Sequence, residues 1–206
     1  AFVDQTGYED IAESKIKQRQ RAPLKPGKGR MYVGFPKIAK KAKEEEGIEL
    51  YTNRIVFHHT PLPGTVWLNM SRVAVDATDA WDMTKAEIEG RKQAERLAYF
   101  YKKYMPGFEN SYLLDTSPQV GLRETRLLKG EYIVTKDDVL NGKVWDDTVY
   151  TIFNAGIDIH MPHGRGFTLI PVHKNIHIPY RSLVPKGVEK LIVAGRCVSA
   201  THEALG

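Results

Sequence analysis

The sequence predicts an α+β fold, a mixed β-sheet with flanking helices, and three observations predict it. Strand-length apolar runs recur through the second half of the chain, separated by Gly and Pro. One long stretch, Thr84 to Tyr104, carries its apolar residues at helical spacing. The closing segment, Val188 to Gly206, reads as a buried strand, then a small-residue turn, then the start of a helix.

Each element has a local reason. Residues 8 to 20 suit a polar helix with Ile11 and Ile16 as its apolar points, and Arg21 to Arg30, with two prolines and two glycines, suits a loop. Met31 to Phe35 is a short strand. Pro36 can occupy the first turn of a charged helix over Lys37 to Glu46, which Gly47 ends. Ile55 to His58 and Thr65 to Met70 form a hairpin around Thr60-Pro-Leu-Pro-Gly64, with Arg72 to Ala77 extending the second strand. In the long helix, Thr84 and Glu87 have capping-box spacing, Ile88, Leu97, Phe100, Tyr101 and Tyr104 share a face, and Met105-Pro-Gly107 is the stop. Ser111 to Asp115 and Gln119 to Lys129 are strand-like. Thr135, with Asp138 three residues on, opens a short helix to Leu140. Val149 to Phe153, Ile157 to His160, Phe167 to Val172 and Ile176 to Pro179 are strands. Leu191 to Ala194 is an apolar, β-branched run of the kind buried in a parallel sheet, and Gly195 follows where the backbone must turn.

Composition bounds the function classes. The 206 residues are 42% hydrophobic and 27% charged, ordinary for a globular protein. No apolar run approaches the length of a bilayer span, and no secretory signal pattern occurs, so no membrane partner is expected. The single cysteine, Cys197, excludes an internal disulfide framework and a dithiol mechanism within the chain, and it fits a reducing, cytoplasmic compartment. From Glu13 to Lys43 there are eleven Lys or Arg and one acidic residue. A nucleic-acid-binding module using Lys15 to Lys43 is one alternative reading, but no nucleic-acid motif accompanies the charge, and a solvated face is the plainer one.

Several residues can carry chemistry. In Arg123-Glu124-Thr125-Arg126, a strand would turn Arg123 and Thr125 one way and Glu124 and Arg126 the other. Arginine forks suit an anionic substrate, although Glu124 can equally bridge neighbouring basic groups in a structural ion pair. Four of the seven histidines, His160, His163, His173 and His177, lie close together in sequence. A zinc-dependent hydrolase is the alternative that cluster suggests, but no Cys lies nearby and no His-Glu-x-x-His occurs, so no metal site is assigned. His160 is the best candidate among them for a site contact. His202 can exchange protons near neutral pH or can simply pack at a helix start. Ser199 and Thr201 offer capping hydroxyls, and Cys197 suits a packing role.

The tail matches a longer pattern. Pro179-Tyr-Arg-Ser-Leu-Val-Pro-Lys-Gly187 continues into Val188 to Ala204, with Val193-Ala-Gly-Arg196 and Ser199-Ala-Thr-His-Glu-Ala204 at its centre. This segment resembles the flavin-closing segment of a bacterial group of FAD-dependent oxidoreductases. Gly121-Leu-Arg-Glu-Thr-Arg126 with Gly130-Glu-Tyr132, and Ile157-Asp-Ile-His160, resemble two further blocks of that group. Arg196 stands where many flavoproteins of this general fold carry an acidic residue; the matched group also has arginine there.

The resemblance implies a two-domain flavoprotein, with residues 1–150 as a partial substrate-binding domain and 151–206 as a return segment carrying the last strand of the FAD domain. It implies FAD as cofactor, a small-molecule substrate, and hydride transfer between them. Arg123 and Arg126 would then bind substrate, His202 and His160 would serve as catalytic contacts, and Gly195, Arg196, Ser199, Ala200 and Thr201 would line the flavin. No Gly-x-Gly-x-x-Gly occurs after any strand, so the dinucleotide loop is expected in a Rossmann portion of the same protein outside these residues, and this chain is expected to be a fragment that retains FAD poorly.

Overall fold

A computed structural model describes residues 31–50, 55–153, 156–160 and 167–206. The helix expected over residues 8 to 20, the loop to Arg30 and the basic stretch up to that point lie outside the described residues. The order is β1 (Met31–Gly34), α1 (Pro36–Glu46), β2 (Ile55–His59), β3 (Val66–Leu68), α2 (Ala80–Tyr104), α3 (Lys136–Asn141), β4 (Thr148–Ile152), β5 (Gly156–His160), β6 (Phe167–Pro171), β7 (Ile176–Pro179), a 3₁₀ turn (Tyr180–Ser182) and α4 (His202–Leu205). The α+β class holds. Its strands form three small antiparallel sheets, β1-β2-β3, β4-β7 and β5-β6, rather than one mixed sheet. Parallel pairing is confined, among the described residues, to an isolated bridge between Val134 and Ala200. No helix among the described residues is long and apolar enough to cross a membrane.

The chain divides into two compact units, one of residues 1–73 and 85–120, the other of 74–84 and 121–206. These units follow a different cut from the functional division expected at residue 150.

In the first unit, Pro36 starts α1 as its missing N–H allows, and Gly47 closes it in the left-handed conformation, its N–H reaching Ala42 and Lys43 carbonyls. β2 pairs β1 with Phe57 opposite Tyr32, and β3 returns to place Leu68 opposite Phe57. The alternation of β2 buries Ile55 and Phe57. Phe57 stacks on Tyr32 at 4.8 Å between ring centroids and meets Tyr101 edge-on at 5.9 Å. α2 supplies Leu97, Phe100 and Tyr101 to this core, and Met105 seals its end. Gln93, also on α2, is buried because its amide bonds both ways to the Arg72 backbone: Arg72 N–H to Oε1 at 2.8 Å, and Nε2 to the Arg72 carbonyl at 2.9 Å.

In the second unit, Thr135 and Asp138 form the full capping box of α3, as the sequence predicts. The core gathers Val134, Val139, Ile157, Val172, Ile176 and Ala200, with Ala204 and Leu205 of α4 packed against it. β5 and β6 pair in regular register from Gly156–Pro171 to His160–Phe167. Tyr132 sits beside this core under two cations, Lys143 and Arg181, at 5.2 and 5.5 Å from its ring.

Several expectations are corrected. α2 begins at Ala80, four residues before Thr84, because Asp79 caps it: Asp79 Oδ1 accepts the Asp82 N–H at 2.8 Å. Thr84 lies inside the helix, its hydroxyl donating to the Ala80 carbonyl. Ile88 is exposed rather than on the core face. Arg72 to Ala77, Ser111 to Asp115 and Gln119 to Lys129 join no β-ladder, so none is a strand. Leu191 to Ala194 is likewise no strand. Leu191 and Ile192 are 48% and 56% exposed, and the Val193 N–H reaches only the Leu183 carbonyl of an irregular segment. An apolar run becomes a strand only against a neighbouring ladder, and among the described residues none runs beside this one.

Candidate functional site

The blocks that the sequence analysis singled out separately are tied together within the second unit. The Arg196 guanidinium donates to the Leu122 carbonyl. The Leu128 N–H donates to the Cys197 carbonyl at 2.8 Å, and the Gly130 N–H to the Ser199 hydroxyl at 3.1 Å. Val134 exchanges two backbone bonds with this segment, its N–H to the Ser199 carbonyl at 3.0 Å and its carbonyl from the Thr201 N–H at 2.8 Å. A third segment joins them: Glu131 N–H to Val184 carbonyl, Tyr132 N–H to Arg181 carbonyl, and Ser199 N–H to Ser182 carbonyl. Residues 122–134, 181–186 and 193–201 therefore satisfy each other's backbone groups without a regular sheet.

Arg181 is held where it meets this weave by a bidentate pair with Asp147, Nε to Oδ2 at 2.9 Å and Nη2 to Oδ1 at 3.2 Å. That guanidinium keeps the Asp147 carboxyl below the usual aspartate range. Arg181 is thus a structural member of the Pro-Tyr-Arg motif.

On this frame, α4 lies against β5 and presents His202, its first residue, to the Arg-Glu-Thr-Arg block. His202 Nδ1 lies 2.6 Å from Glu124 Oε2. The next residue along, Arg123, pairs with Asp158 of β5 at 3.6 Å. A histidine–carboxylate hydrogen bond and an arginine–aspartate ion pair therefore start from adjacent residues, one reaching α4 and one β5. Arg126 lies near Asp76, whose carboxyl is held below the usual range first by the Thr78 N–H and hydroxyl and to a lesser degree by Arg126. Arg123 and Glu124 do not alternate on a strand; an irregular backbone lets both point into pairs.

The expected cofactor-lining residues divide by environment. Ser199 is fully buried with its hydroxyl accepting from Gly130, and Ala200 is buried in the core. Gly195 is exposed at φ 101, a conformation that favours glycine, with open space where a Cβ would stand. The Thr201 hydroxyl is shielded from solvent and makes no hydrogen bond of good geometry. It lies close enough to the Glu203 carboxylate to help the Glu203 backbone N–H lower that pKa. An open glycine turn, an adjacent guanidinium and a shielded hydroxyl with spare capacity fit a cofactor that carries phosphates and carbonyl groups.

Among the described residues, the histidines of this stretch are not gathered into one site. His160 lies on β5 opposite Phe167, and His163 lies outside the described residues. His173 is exposed, and His177 Nδ1 bonds the Thr151 hydroxyl at 3.0 Å. Among the described residues no group of three or more His, Cys, Asp or Glu is placed to hold a metal ion. In the described part of the basic stretch, Lys40 and Lys41 pair with Glu44 and Glu45 on the exposed face of α1, and Lys43 pairs with Glu49 beyond its end.

Sequence reasoning missed two partners. Glu124 reads as a bridge between neighbouring basic groups, but its partner is His202, 78 residues away. Asp158, inside the Ile157-Asp-Ile-His160 block, pairs with Arg123, and no local pattern points to that pairing.

A family model described as FAD dependent oxidoreductase matches residues 5–206. No curated protein and no solved structure gives a significant match to the chain.

Proposed function

The chain belongs to the FAD dependent oxidoreductase family, and from that premise we propose that it forms the substrate-binding part of a cytoplasmic flavoenzyme acting on a small anionic molecule. The bound flavin supplies the hydride chemistry at its N5 position. The protein's residues supply the rest. Arg123 and Arg126 bind the substrate's negative charge, and His160 contacts the substrate from β5. His202 exchanges a proton with it. Gly195, Arg196 and Thr201 face the flavin's polar edge, while Ser199 and Ala200 back that wall from the buried side.

The observation that carries this reading is the convergence of Arg123, Glu124, Asp158 and His202 on one frame with the Gly195–Thr201 segment. Arginine beside an acid–base histidine suits binding and deprotonation of an anionic substrate. These 206 residues contain no Gly-x-Gly-x-x-Gly, so the flavin pyrophosphate is held by a Rossmann portion outside them.

The test has two arms. Titrating FAD with the purified 206-residue chain should leave flavin fluorescence and absorbance as in free solution; tight stoichiometric binding would overturn the assignment of the pyrophosphate to another portion. In the flavin-loaded full protein under anaerobic conditions, small carboxylate-bearing alcohols and amines should bleach the flavin's visible absorbance. Bleaching that persists unchanged when Arg123 and Arg126 are both replaced by alanine would overturn the substrate assignment.

A further inference from the structure

We propose that Glu124 is a positioning residue that locks His202 in a single tautomer, with Nδ1 protonated and Nε2 open as the proton acceptor. The inference deepens the flavoenzyme reading and rests on it for the reaction, though not for the tautomer.

The chemistry follows from the contact. An ionised carboxylate only accepts hydrogen bonds, so at 2.6 Å from Glu124 Oε2 the Nδ1 atom must carry the proton. In the neutral ring Nε2 then holds a lone pair. Among the described residues Nε2 makes no hydrogen bond, and 59% of the His202 side chain is exposed against 26% for Glu124. The anchored partner is thus the carboxylate, and the reachable one is the imidazole.

Both ends of the pair are held by unrelated contacts. His202 is fixed by the Thr201 N–H bond to Val134 on one side and by Ala204 and Leu205 in the core on the other. Glu124 directly follows Leu122, whose carbonyl accepts from Arg196, and Arg123, which pairs with Asp158. A ring held this way cannot swing its nitrogens without breaking a charge-assisted bond. Glu203, its neighbour on α4, is a further charged group close enough to His202 to feel it.

In the reaction, the O–H or N–H bond of the substrate breaks, its proton passes to Nε2, and the resulting imidazolium stays against the Glu124 carboxylate until solvent takes the proton. A substrate lacking an ionisable O–H or N–H beside the reacting carbon has no use for this arrangement. The class is therefore an alcohol or amine that also carries an anionic group for Arg123.

Long-range ¹H–¹⁵N correlation NMR of the 206-residue chain, at a pH where the ring is neutral, reads the tautomer directly. The His202 signal is identified by its loss in His202→Gln. The wild type should show Nδ1 protonated and Nε2 unprotonated, and Glu124→Asp should retain that pattern. Glu124→Ala should shift the signal to the averaged pattern of a free imidazole, and Glu124→Gln, which keeps the shape, should do the same or invert it. A wild-type ring protonated at Nε2, or a tautomer unchanged in both Glu124→Ala and Glu124→Gln, overturns the inference. The measurement needs neither flavin nor substrate, so its failure leaves the flavoenzyme reading standing, and failure of the bleaching test leaves the tautomer result standing.

Discussion

The Ser199 hydroxyl accepts the Gly130 N–H at 3.1 Å, and Ser199 Cβ lies 2.8 Å from where a Cβ on residue 130 would have to be. Position 130 must therefore remain glycine for the two segments to approach closely enough to bond. The Val184 carbonyl, 3.2 Å away on a third side, blocks the easy escape. Gly130→Ala should cost about 1–3 kcal/mol through overpacking. A urea denaturation midpoint unchanged from wild type would show that the weave is looser than described.

Asp138 makes a pH prediction. Burial works against its carboxylate, but the Thr135 N–H, the Lys143 ammonium at 3.0 Å and the Tyr132 hydroxyl at 2.8 Å outweigh it and hold the pKa below the ordinary aspartate value. A depressed folded pKa contributes stability that is present above the unfolded value and is lost as pH falls through the folded one. Asp138→Asn should remove that part of the acid limb and lower stability at neutral pH by about 1 kcal/mol through the damaged cap. Thermal melts from neutral to acid pH check both; equal acid slopes in the two proteins would count against the network.

In the first unit, Phe100 is fully buried between Tyr101 and Tyr104, with ring centroids at 5.6 and 5.7 Å. Phe100→Ala should cost about 3–5 kcal/mol from lost burial and the cavity left behind. Gln93→Leu is subtler, since it keeps the volume but removes both partners of the Arg72 backbone, at about 1–3 kcal/mol. Chemical denaturation followed by tyrosine and tryptophan fluorescence separates them, and a neutral Gln93→Leu would mean that water replaces the amide.

Arg123 yields a kinetic prediction for the flavin-loaded protein. Arg123→Ala should raise KM for an anionic substrate by about ten- to hundred-fold, the worth of a charge-assisted hydrogen bond, with a smaller change in kcat. Neutral analogues should lose little. Equal losses for charged and neutral substrates would assign Arg123 to structure, through its pair with Asp158.

Local chemistry was legible in the sequence wherever the signal and its partner lie within a few residues. Thr135 and Asp138 announced α3, Pro36 and Gly47 bracketed α1, and Thr60 to Gly64 marked the hairpin. Where two local signals compete, the residues do not say which wins: Thr84 and Asp79 both suit a cap, and Asp79 takes it. Long-range pairing was not legible. Leu191 to Ala194 has strand composition, yet a strand is a relation between two segments, and composition describes only one. The same holds for the site, where the residue types were readable but the pairing of Glu124 with His202 was not.

The weave also sets a clock. Glu124 and His202 are 78 residues apart, Leu122 and Arg196 are 74, and Gly130 and Ser199 are 69. At the pace of ribosomal synthesis, the acidic half of the pair waits roughly 4 to 16 s for its histidine to be made. Arg123 meets its partner Asp158 earlier, so for most of that interval only Glu124 lacks its partner. The dyad therefore cannot form until the chain has been made through His202.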